Sequence, residues 1–102
     1  MGDILATPKG KMVKLSDGKE YQFPPMNLTV MADIEEAFDC DIEEVIGKLA
    51  SRSATNVRKL LWILLKYEYP EMTLKEAGQL VLMSAFSEVT KEILLALSIL
   101  QE

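Results

Sequence analysis

The side chains of this chain that are best suited to chemistry are the acidic residues between positions 27 and 51. Asp39, Asp41 and Glu43 have the alternating spacing with which a calcium-binding EF-hand loop begins. Such a loop also needs a glycine at its sixth position and a bidentate carboxylate at its twelfth, where this chain has Glu44 and Ala50. The sequence therefore predicts no calcium loop. Carboxylates in this pattern suit the first turn of a helix, where negative charge is stabilised by the helix dipole.

Other catalytic groups are scarce. The chain has no histidine and one cysteine, so the commonest general base and the commonest metal ligand are missing. Cys40 lies between Asp39 and Asp41, whose charges disfavour a thiolate. The carboxylate pairs Glu35–Glu36 and Glu43–Glu44 have no histidine or glycine-rich phosphate loop to complete a site. We expect no enzyme, no metal site and no cofactor.

Trp62, Tyr67 and Tyr69 have basic residues nearby and could stack on nucleic-acid bases. The net charge of −5 argues against a nucleic-acid partner, since such binders usually have a basic face. The charge is uneven: residues 27–51 have seven acids and one base, and residues 52–79 have five bases and three acids. The acidic section could pair with the basic section inside the fold, or it could face a partner.

The elements that must position these residues are arranged around a predicted central helix from Val57 to Tyr69. Its apolar residues recur at the spacing of one helical stripe, and Pro70 is expected to set its end. The stripe consists of Val57, Leu60, Leu61, Leu64 and Leu65. Because Trp62 and Ile63 add apolar surface beside the stripe, the helix should be nearly surrounded by others.

Residues 11–23 predict a β-hairpin around Ser16-Asp17-Gly18. A two-residue Asp-Gly loop would place Val13 and Leu15 opposite the face of Tyr21 and Phe23. A three-residue loop with a left-handed Gly18 pairs Val13 with Tyr21 and puts all four apolar side chains on one face. Burial favours the three-residue loop, and Pro24-Pro25 ends the second strand.

The remaining chain predicts four more helices. The first two are residues 28–38, capped by Asn27 with a stripe of Leu28, Met31, Ile34 and Phe38, and residues 42–50, opened by Asp41 with Glu44. A Thr73–Glu76 capping box opens a third over 74–86, where Gly78 predicts a close helix contact. The fourth covers 88–100 after Ser87. The fold class is mainly α with a small N-terminal β-hairpin (α+β), about five short helices around Val57–Tyr69. A flexible terminus, 1–10, precedes one domain, 11–102, of which 27–102 is helical.

The last predicted helix is apolar on nearly all sides, so it must be buried or must face another chain. Both alternatives remain open at this stage. The candidate protein-binding residues are Val89, Ile93, Leu94, Leu97 and Leu100. As an interface, this helix would bind a partner or a second copy, and Leu94→Asp or Leu97→Asp would block binding while the helical CD signal persisted.

No signal sequence or membrane span is expected. No apolar segment follows a basic N-terminus, and residues 93–100 are far shorter than the roughly 20 residues that a membrane helix needs. The single cysteine, Cys40, fits the cytoplasm but gives no further signal of compartment.

Several short motifs in this order have a family resemblance. The hairpin ends in Tyr-x-Phe-Pro, Ile34-Glu35-Glu36 lies in an acidic helix, and Leu61-Trp62 is followed by Pro70-Glu71-Met72-Thr73-Leu74-Lys75-Glu76. This arrangement, over residues 11–82, resembles the small tail assembly chaperones of long-tailed phages, prophages and gene-transfer-agent-like particles.

The resemblance implies a non-enzymatic protein of the bacterial cytoplasm. Such proteins coat the long helical tape measure protein and are implicated in delivering tail tube subunits, and a longer frameshifted product is implied too. Hydrophobic helix faces would cover apolar stripes of the client, and the charge of −5 would keep the complex in solution. The alternatives are a small structural virion component, such as a connector or tail-tip protein, and an intracellular protein-binding regulator.

Overall fold

The computed structural model describes residues 10–51 and 53–98, which form a mainly helical fold with one small sheet. The strands are β1 (Met12–Lys14) and β2 (Glu20–Gln22), and the helices are α1 (Leu28–Phe38), α2 (Ile42–Ala50), α3 (Ala54–Lys66), α4 (Leu74–Gln79) and α5 (Phe86–Ser98), with a 3₁₀ turn at Met83–Ala85. The predicted α+β class is therefore confirmed. Of the predicted flexible terminus, residues 1–9 lie outside the described residues.

Helix α3 is the most buried element, and α2 and α4 pack against it. All five residues of the predicted stripe are buried, and Ile63 joins them. The helix begins at Ala54, three residues earlier than predicted, because the Ser53 hydroxyl accepts a hydrogen bond from the Asn56 amide at 3.3 Å and caps it. It ends at Lys66, and the amides of Glu68 and Tyr69 both donate to the Leu65 carbonyl in a closing turn.

The hairpin has the three-residue turn. Val13 pairs with Tyr21, and Gly18 has a left-handed φ of 85°. Val13, Leu15 and Phe23 are buried, and Tyr21 is half-buried against the ring of Tyr69 at 5.4 Å between centroids. Burial of one face thus selected the register, as expected from the pleat.

The hairpin turn is fixed to the segment that follows α4. The Ser16 amide donates to the Leu80 carbonyl, and the Leu82 amide donates to the Ser16 hydroxyl, both at 2.9 Å. These bonds explain why the helix predicted over 74–86 is wrong: α4 stops at Gln79, since the backbone groups beyond it bind the hairpin. The Ser87 cap is also wrong, because α5 already begins at Phe86.

Helices α1 and α2 have the predicted bounds and caps. The Asn27 side chain accepts from the Val30 amide, and the Asp41 side chain accepts from the Glu44 amide, each at 3.0 Å. The predicted stripe of α1 needs one correction. Val30 is buried, whereas Leu28, in the first turn, is 84% exposed.

Two glycines on helices differ in their surroundings. A Cβ at Gly78 would lie 2.7 Å from Cδ of Arg58, which is the close helix contact predicted there. A Cβ at Gly47 on α2 would meet no atom within 4 Å.

Gly47→Ala is therefore expected to raise the free energy of unfolding by about 1 kcal/mol, the difference in helix propensity. Urea denaturation followed by far-UV CD would measure it. Gly78→Ala is the control, since the Arg58 stem must move and the gain should shrink or reverse. A loss of stability in Gly47→Ala would contradict the open helical position of this residue.

Candidate protein-binding groove

The structure places most of the predicted binding residues of α5 in the core. Val89, Ile93 and Leu97 are 3%, 0% and 0% exposed, because α2 packs along α5 and the terminal helix completes the core. Leu94 is half-buried, and Leu100 lies outside the described residues. The expectation that this helix offers a surface is therefore corrected for Val89, Ile93 and Leu97, whose side chains belong to the core.

An open, largely apolar depression lies on another side of the molecule. It is a groove of about 250 Å³ between α3, α4 and the start of α5, named here the α3–α4 groove. Its lining residues are Ala54, Thr55, Val57, Arg58, Leu61, Ala77, Gly78, Val81, Met83 and Phe86. At its edge Met83 is 77% exposed and the preceding Leu82 is 59% exposed. Two adjacent large apolar side chains in solvent beside an apolar groove are typical of a protein-binding surface.

Sequence reasoning missed this groove because it placed residues 74–86 in one continuous helix. In such a helix, Leu82 and Met83 would have lain next to residues one turn away on the same helix. The groove forms because the chain leaves the helix after Gln79 and returns to it at Phe86. The one available signal was Gly78, whose missing side chain lets α4 approach the Arg58 stem.

Arg58 is the single charged residue among the described residues that line the groove. It is exposed, and within residues 10–51 and 53–98 it has no hydrogen bond or ion pair. The groove thus combines apolar walls with one available cation. A partner with apolar side chains and a nearby carboxylate fits this chemistry.

The aromatic residues considered for base stacking make internal contacts. The Trp62 ring lies under the Lys66 ammonium at 4.3 Å, and its Nε1–H donates to the Met72 carbonyl at 2.8 Å. The Tyr67 hydroxyl donates to the Asp33 carboxylate. Burial, and then this bond, raises the pKa of Tyr67 to about 12. These contacts hold α1, α3 and the loop before α4 together.

The acidic residues act mainly on helix ends. The Glu35 carboxylate accepts a hydrogen bond from the Ile42 amide at 2.9 Å and joins α1 to the start of α2. At this junction, burial and the Glu44 charge raise the pKa of the Cys40 thiol. Among the described residues, no group of three or more His, Cys, Asp or Glu side chains could hold a metal ion. Nor does any helix within those residues combine the length and apolarity needed to cross a membrane.

No protein family, curated protein or solved structure matches this chain significantly. The motif residues behind the resemblance have structural roles in the fold. Ile34 and Leu61 are core residues, and the Trp62 ring donates a hydrogen bond to the loop before α4. Thr73 and Glu76 form the capping box of α4. Of these residues, Leu61 also lines the α3–α4 groove.

Proposed function

We propose that this protein is a non-enzymatic phage or prophage tail assembly chaperone that binds the tape measure protein through the α3–α4 groove. The observation behind the proposal is the exposed pair Leu82–Met83 beside an apolar groove. The order of motifs that resembles the chaperones supports it. Delivery of tail tube subunits in the bacterial cytoplasm is part of the same proposal.

The groove suits recognition of a helix. A long helical client repeats apolar side chains at every turn or two, and each stripe can place one of them in a groove on a partner. The groove of about 250 Å³ has room for such a side chain, with Met83 free to adapt around it. The net charge of −5 on the chain disfavours aggregation of the coated client.

Met83→Asp is expected to lower client recovery at least about tenfold, because it places a charge where an apolar side chain is buried on binding. The test is co-expression of tagged protein with the long helical protein encoded nearby, followed by pull-down and quantitative mass spectrometry. Met12→Asp is the matched control, since Met12 is also exposed but lies on the hairpin outside the groove. Far-UV CD would check that both variants are folded.

Equal client recovery by Met83→Asp and by the parent protein would contradict the groove assignment. Recovery of neither a long helical protein nor a tail tube subunit would contradict the chaperone function. Assembled particles provide a separate check, because a chaperone should be absent from purified virions. A stoichiometric amount there would instead favour a connector or tail-tip component.

A further inference from the structure

Within residues 10–51 and 53–98, no ion pair joins the acidic section of the chain to the basic section. In the part of the chain that the structure describes, the single ion pair joins Lys11 Nζ to Glu92 Oε1 at 2.8 Å. Glu36 on α1 and Arg58 on α3 are both exposed, and neither has a hydrogen bond or ion pair within that part. Two opposite charges thus remain available on separate surfaces of one molecule.

Helix α1 presents an apolar side chain together with its charge. Leu28, Ala32 and Glu36 recur every four residues and are all exposed, so they form one row on the helix surface, named here the α1 ridge. Leu28 is the most exposed large hydrophobic side chain among the described residues. At 1.5 Å per residue, the ridge places Leu28 and Glu36 about 12 Å apart along the axis.

The α3–α4 groove has the complementary chemistry, with apolar walls and one basic residue. Its α3 wall extends from Ala54 to Leu61, about 10 Å along the axis, with Arg58 between the two ends. Its other walls are apolar, and the long Arg58 side chain can reach a carboxylate beside the groove. No lining residue belongs to α1 or α2, so the ridge and the groove are different surfaces.

We propose that a second copy of this chain occupies the groove when no client is bound. Leu28 of one copy enters the apolar groove of the next, and Glu36 pairs with Arg58. Because the ridge meets a different surface, the contact is heterologous and joins copies head to tail, into a ring or an open chain. The client and the second copy would then compete for the groove, a consequence that rests on the proposed function, whereas self-association itself does not.

A mixing experiment with purified protein tests the contact in the absence of client. Size-exclusion chromatography with light scattering should show assemblies of the parent protein larger than the 11.5 kDa monomer. Leu28→Asp removes the ridge and Met83→Asp removes the groove, and each alone should raise the dissociation constant at least about tenfold. Their mixture should give a heterodimer and nothing larger, because one intact ridge and one intact groove remain. Leu95→Asp, an exposed leucine outside both surfaces, should assemble like the parent protein.

A charge exchange provides the second test. Glu36→Arg and Arg58→Glu should each weaken assembly, and the double variant should restore it, since the pair is rebuilt with its signs reversed. Assembly should weaken as salt concentration rises. CD spectra of every variant would exclude unfolding as the cause of a loss.

Three results would overturn the proposal. One is a monomeric parent protein at high micromolar concentration. Another is normal assembly of Leu28→Asp, which would indicate a symmetric contact or a different surface. The third is a mixture that remains monomeric. A failure of client capture in the separate pull-down would leave these mass measurements unaffected, so the two proposals fail independently.

Discussion

Leu97→Ala is expected to lower the free energy of unfolding by about 2–5 kcal/mol, the cost of removing a buried leucine side chain and leaving a cavity. Leu97 is fully buried near the end of the described part of α5. Since a domain of this size is stabilised by only about 5–15 kcal/mol in total, this single change would remove a large share. Urea denaturation monitored by far-UV CD would measure it.

Leu95→Ala is the internal control, because Leu95 lies on the same helix but is 50% exposed. Its effect should stay within about 0.5 kcal/mol. Comparable losses in both variants would contradict the orientation of α5 in the core. Leu97→Asp distinguishes the two original interpretations of this helix: as a core residue it unfolds the protein, whereas as an interface residue it would leave the CD signal intact.

Phe23→Ala is expected to cost about 3–5 kcal/mol, the range for a buried phenylalanine. Phe23 is fully buried and follows β2 directly. An isolated two-stranded hairpin is marginally stable in water, so this one depends on docking to the helices. Removing its largest anchor should therefore release the hairpin as well as create a cavity.

Hydrogen exchange would show both consequences. In Phe23→Ala the hairpin amides should lose protection before those of α3 do, because local release of the hairpin exposes them first. Met12→Ala, on the exposed side of β1, should change stability by no more than about 0.5 kcal/mol. A mild effect of Phe23→Ala, with hairpin protection unchanged, would contradict the anchoring role.

Features that depend on residues close together in the sequence could be predicted from it. The caps at Asn27, Asp41 and Thr73 were predicted because a cap involves residues only three apart. The hairpin register followed from the requirement that one face be buried. The stripe of α3 followed from a spacing that only a helix can place on one side. Ser53 was missed as a cap because the apolar stripe, from which the start of the helix was predicted, begins only at Val57.

Features that depend on partners far away in the sequence could not be predicted. The end of α4 at Gln79 is set by hydrogen bonds to Ser16, more than sixty positions earlier. The exposure of Leu28 in place of Val30 depends on where α2 packs against α1. Within α1 alone, either residue could begin an apolar stripe.

The candidate site was beyond sequence reasoning for the same reason. A helix that is apolar on nearly all sides, such as α5, does not reveal which residues face the core, so Val89, Ile93 and Leu97 were candidates for a binding surface while a core position stayed open. The α3–α4 groove is built from three elements and a break between two of them. No single stretch of sequence contains its pattern, although Gly78 marks one of its walls.

The hydrogen bonds between Ser16 and the segment Leu80–Leu82 also have a consequence for synthesis of the chain. The ribosome releases the hairpin first, yet the hairpin turn has its partners only after Leu82 has emerged. The segment with Leu82 and Met83 emerges in turn when its support at Ser16 is already present. The exposed pair Leu82–Met83 therefore never leaves the ribosome before the hairpin to which its segment bonds, and a truncation that removes the hairpin would remove both of these hydrogen bonds.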